Sequence, residues 1–152
     1  MAKWRAIMND KQGLIQHTND FFNLHWGFDS KAPSWDFSWN WCGAVTNYHL
    51  GGLYALFNGE NLIYIGLGSS RGGGLYQDRG ISRRLMAHVL RNAPKDMEVS
   101  YIPRERWKKL GVDVVATLGF PEDKNYLALA LEDYLIGRTN PPENRNKRIK
   151  KT

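Results

Sequence analysis

The chain has 152 residues and a mass of 17.5 kDa, room for one domain with extensions and too little for two comfortable ones. Hydrophobic residues make up 42% and charged residues 24%, the balance of a folded chain rather than a disordered one, and no apolar run approaches the ~20 residues of a membrane span, so no membrane partner is expected. The formal charge of +6 and pI near 9.5 point to a polyanionic partner, because a cationic surface binds phosphates by releasing their counterions.

Residues 1–50 read as an aromatic-rich N-terminal extension carrying Trp4, Phe21, Phe22, Trp26, Phe28, Trp35, Phe37, Trp39, Trp41 and Tyr48. It opens without the apolar segment of a signal peptide, so a cytoplasmic location is the expectation. A single cysteine, Cys42, agrees with a reducing compartment, and its spacing from His17, His25 and His49 matches no usual zinc pattern. In "WDFSWNW" the alternation Trp35, Phe37, Trp39, Trp41 predicts a half-buried strand. The same stripe also fits a platform for stacked bases, or a core or subunit interface.

From residue 51 the pattern clears. "LYALF" and "LIYIG" bracket "NGEN" as two strands of a hairpin, since Asn and Gly tolerate positive φ. A glycine-rich, basic loop, "LGSSRGGGLYQDRG", follows. Gly66 and Gly68 begin a dinucleotide fingerprint, but Arg71 stands where the third glycine belongs and no GK[ST] appears, so no nucleotide cofactor is expected. "ISRRLMAHVLRN" predicts a helix with the stripe Ile81, Leu85, Val89 and Pro94 as its stop. Strand candidates at 97–102 and 112–118 flank a short helix, "RERWKKL", closed by Gly111, and either candidate completes a sheet equally well. "PEDKNYLALALEDYLIGR" predicts an amphipathic helix with Asp123 as N-cap, Leu127, Leu131 and Leu135 as its stripe, and Gly137 near its end.

Charge concentrates in two places. Arg71, Arg79, Arg83, Arg84 and Arg91 share a stretch whose sole acid is Asp78, and "NRNKRIKK" brings Arg145, Lys147 and Arg148. Such runs are either solvated surface or phosphate contacts. Arg84 and His88, four apart, share a helix face that Arg91 extends. Glu132 falls on the flank of the last helix formed by Ala128, Leu129 and Ile136, where folding would partly bury it. A buried carboxylate is costly unless paired or bound to a metal.

Taken in order, "GLY" (52–54), "YIG" (64–66), "RRLMAH" (83–88), "LEDYLI" (131–136) and "PPEN" (141–144) resemble the GIY-YIG nuclease family over residues 51–147, with 148–152 a basic tail. The resemblance implies an α/β (α+β) fold, a three-stranded antiparallel sheet flanked by helices. It implies hydrolysis of DNA phosphodiesters with one divalent metal ion, Mg²⁺ or alternatively Mn²⁺. Carried over by position, Tyr54 is the general base and Tyr64 its assistant. Arg84 contacts the scissile phosphate, His88 orients the site, Glu132 binds the metal, and Gly66 and Asn144, or else Asn146, support structure near the site. Leu53 replaces the usual isoleucine. The long loop after Gly66 and the N-terminal extension look like those of restriction-type members. Duplex DNA and a second copy of the chain are the implied partners, with Arg71, Arg79, Arg83, Arg91, Arg145, Lys147 and Arg148 as DNA contacts. A structure-selective or weakly specific phage or repair nuclease, or a silent nucleic-acid-binding module, are the alternatives.

Two physical expectations accompany that reading. The cationic surroundings are expected to favour the Tyr54 phenolate. The two tyrosines must share a sheet face, which requires a three-residue loop or a bulge, because a tight two-residue turn puts them on opposite faces.

Overall fold

The computed structural model describes residues 8–68 and 80–144. It is a mixed α+β fold around an antiparallel sheet of three strands, β1 (Gly51–Asn58), β2 (Asn61–Leu67) and β5 (Val114–Phe120), in the order β2-β1-β5. The second strand candidate, at 112–118, therefore completes the sheet. Part of the first forms β4 (Tyr101–Pro103), which pairs with β3 (Leu90–Asn92) in a separate two-stranded ribbon.

Each face of the sheet has its own core. Leu53, Ala55, Phe57, Ile65, Ala116, Leu118 and Phe120 pack against α1 (Asp10–His25) and α4 (Leu127–Thr139). Tyr54, Leu56 and Val115 pack on the other face against α2 (Gly80–His88), Trp107 of α3 (Glu105–Lys109), Leu90 and Val112. Strand residues two apart share a face, so one alternating pattern in β1 serves both cores.

Helix α1 was not anticipated, yet its signals are local. Asn9 and Gln12 form a capping box, with the Gln12 amide donating to Asn9 Oδ1 at 2.8 Å, and Leu14, Thr18, Phe21 and Phe22 recur at helical spacing on the buried face. The segment read as an extension thus contributes to the core beneath the sheet. The run 35–41 is not a strand. It makes one bridge, with Asp36 exchanging 2.8 and 3.0 Å backbone bonds with Thr117 at the free edge of β5, and then rounds that edge. Trp35 and Phe37 consequently pack with one core, Trp39 and Trp41 with the other.

Two helix ends also differ from expectation. α2 stops at His88, four residues short, because Leu90–Asn92 is recruited into the ribbon with β4. α4 begins at Leu127 after a 3₁₀ turn, Glu122–Lys124, so Asp123 is not its N-cap and instead pairs with Lys124. Its C-terminus runs past Gly137 to Asn140, whose left-handed conformation (φ 49°) closes the last turn. Among the described residues no helix is long and apolar enough to cross a membrane.

Candidate active site

The hairpin solves the parity problem with a bulge. Asn58 pairs with Asn61, leaving Gly59 and Glu60 as a two-residue turn with Gly59 at φ 60°. The register then slips between Leu56/Tyr64 and Phe57/Leu62, so Ile63 is the extra residue on β2. That slip returns Tyr64 to the face of Tyr54, and the two rings lie 6.1 Å apart at 38°.

Gly66 stands opposite Tyr54 in the register, and a Cβ built on it would fall inside the Tyr54 ring. The absent side chain is what lets the phenol lie flat across β2. Trp107, 2% exposed, continues the stack, 5.1 Å from Tyr64, and its indole N–H donates to the His88 carbonyl at 2.8 Å. One indole thereby ties the Tyr64 ring to the end of the helix that carries Arg84 and His88.

The Tyr54 hydroxyl is where the predicted residues meet. Tyr54 is 1% exposed, and burial first, then Tyr64, pushes its ionisation above the ordinary tyrosine range. The positive charge of the Arg84 guanidinium pulls the other way, and the Glu132 carboxylate adds to the rise. Burial outweighs Arg84, so the expected phenolate gives way to a protonated phenol in this state. Glu132 is 5% exposed on the inward stripe of α4 with Ala128, Leu131, Leu135 and Ile136, whereas Leu129, expected beside it, faces solvent.

His88 closes α2 at the surface. Partial burial, then Arg84 and Arg104, holds its imidazole below the usual histidine range, so it is neutral at pH 7. Arg83 is exposed on the same helix. Arg91 lies on β3, not on the helix face it was expected to extend, because α2 ends three residues earlier. Arg71, Arg79, Arg145, Lys147, Arg148 and Asn146 lie outside the described residues.

Asn144 supports the site from the sheet edge. Its side-chain amide accepts from Ile65 N–H at 2.9 Å and donates to Ile65 C=O at 2.8 Å, standing in for a fourth strand. The Glu143 amide adds a bond to Ile63 C=O, and Asp10 accepts from Leu62 N–H. The free edge of β2 is thus bonded on both sides of the Ile63 bulge, beneath the two tyrosines.

The donor chemistry restricts any metal. Among the described residues no three His, Cys, Asp or Glu side chains form a cluster that could hold a metal ion. A single buried carboxylate such as Glu132 fits a hard cation whose remaining ligands are water and phosphate oxygens, the usual habit of Mg²⁺.

Two participants, Trp107 and Arg104, escaped sequence reading. "RERWKKL" announces a helix, but nothing in it says that both residues fold back on α2. No protein-family model, curated protein or solved structure matches the chain.

Proposed function

We propose that the chain is a metal-dependent endonuclease of the GIY-YIG type, hydrolysing phosphodiesters of duplex DNA in a restriction or mobile-element setting. What supports this reading is that Tyr64, Arg84 and Glu132, from three separate parts of the chain, all act on the ionisation of the buried Tyr54 phenol. Phosphodiester hydrolysis passes through a crowded, negatively charged state, and a site for it needs fixed positive charge, a proton acceptor and a hard-metal ligand within one cleft.

In this reading Arg84 binds a nonbridging phosphate oxygen and orients it. Glu132 would hold the divalent ion, Mg²⁺ or Mn²⁺, which when bound supplies Lewis-acid stabilisation of charge on the phosphate. Burial keeps Tyr54 a protonated phenol in the free enzyme; it first releases that proton to solvent, and the resulting phenolate then takes the proton of the attacking water. Added positive charge near Tyr54 opposes the burial effect and moves the phenol towards its working form. Tyr64, whose ring lies 6.1 Å from that of Tyr54, assists this proton network. Neutral His88 offers an acceptor at the rim. Cutting both strands with one such cleft per chain calls for two copies, so a homodimer belongs to the proposal.

Nicking of supercoiled plasmid in Mg²⁺ tests the reading. The parent protein is expected to nick and then linearise it. Glu132→Ala is expected to bind the same DNA and leave it intact. Equal cutting by both removes the metal assignment, and DNA binding by the parent without any cutting turns the reading into that of a silent binding module.

A further inference from the structure

Arg104 sits just before α3, outside every motif of the sequence, and is anchored to the C-terminal end of α2. Its backbone N–H donates to Val89 C=O at 2.7 Å and its guanidinium to Met86 C=O at 2.7 Å. The Trp107 and Lys108 amides in turn donate to the Arg104 carbonyl, both at 2.9 Å, so the residue is fixed at both ends. These bonds hold its guanidinium against the end of the helix that carries Arg84 and His88, and the His88 imidazole senses both charges.

Two guanidiniums that both act on one imidazole repel each other, and an exposed arrangement of that kind is favourable when an anion joins it. The Met86 bond occupies one donor of Arg104 and leaves the rest of its planar fork for a phosphate. We propose that Arg104, with His88, forms a second phosphate subsite that grips the DNA backbone beside the phosphate held by Arg84. The inference rests on the reading of the site as a DNA phosphodiesterase. It adds a binding residue that positions the strand without touching the reacting atoms.

The test is equilibrium binding of a short mixed-sequence duplex in EDTA, where cutting is blocked, followed by fluorescence anisotropy between about 50 and 200 mM salt. Arg104→Gln keeps an amide donor for Met86 and removes the charge. It is expected to weaken binding about tenfold at the low-salt end and to lower the slope of log K against log salt by about one. Arg104→Lys keeps the charge and is expected to keep the parent slope. Lys11→Ala removes a charge from α1, where the ammonium lies 4.5 Å over Phe37, and is expected to leave the slope alone. A parent-like slope in Arg104→Gln overturns the subsite, as does an equal loss in Lys11→Ala or in Arg104→Lys. A parent protein that binds duplex but fails to nick plasmid in Mg²⁺ overturns the nuclease reading alone and leaves the slope result standing.

Discussion

Tyr54 and Gly66 are partners across the β1–β2 ladder, and the ring of the first occupies the space a side chain on the second would need. A glycine in a strand interior ordinarily weakens it. Here it makes room for an aromatic ring to lie across the neighbouring strand, with the hydroxyl carried towards Arg84 and Glu132.

Gly66→Ala is therefore expected to act on both stability and chemistry. The added methyl collides with a ring that Tyr64 flanks, at a cost of about 1–3 kcal/mol for overpacking. Urea denaturation measures that loss, and plasmid nicking is expected to fall at least about tenfold as the hydroxyl is displaced. A variant as stable and as active as the parent contradicts the packing described.

Asn144→Ala removes both side-chain bonds to the Ile65 peptide unit, which is fully buried and has no strand on that side. Leaving a buried donor and acceptor unpaired is expected to cost about 2–4 kcal/mol in urea denaturation. Asn144→Asp keeps the acceptor for Ile65 N–H but faces the Ile65 carbonyl with a carboxylate oxygen, and is expected to fall below the parent as well.

The raised ionisation of Tyr54 fixes the sign of an alkaline effect. Above pH ~10 an unfolded tyrosine loses its proton while folded Tyr54 retains it, so the unfolded state binds fewer protons and stability falls as pH rises. Below that pH both states are protonated and the group contributes no slope. Tyr54→Phe is expected to remove about 1.4 kcal/mol per pH unit from the alkaline slope. Stability curves for the two proteins that stay parallel above pH ~10 refute it.

Trp107→Phe keeps an aromatic ring beside Tyr64 but cannot donate to the His88 carbonyl. A loss of about 1 kcal/mol is expected in thermal or urea unfolding. Amide exchange is expected to quicken in the last turn of α2, and nicking to fall more than the stability loss explains. Unchanged exchange at 85–89 argues that the indole bond does not hold the helix end.

How far the sequence carries can be judged residue by residue. The hairpin was legible because Asn58-Gly59 is local turn chemistry, and the need for a bulge followed from strand parity alone. Its position at Ile63 was not legible, since any residue between the turn and Tyr64 satisfies parity. The aromatic alternation at 35–41 misled because a period of two also arises when a chain rounds a sheet edge and feeds two cores in turn. Leu90–Asn92 continued a helical pattern until pairing with Tyr101–Pro103 captured it.

What the sequence determined by itself were the features set by neighbours along the chain: the turn, the inward stripes of α2 and α4, the four-residue spacing of Arg84 and His88, and the net positive charge. Tertiary structure decided which strand completes the sheet, that Asn144 braces β2, that Trp107 and Arg104 secure α2, and that Tyr54 keeps its proton. Each of these depends on burial and on contacts between distant segments. A side chain's spacing can place it on a face, but only the folded surroundings set its solvent, its partners and its charge.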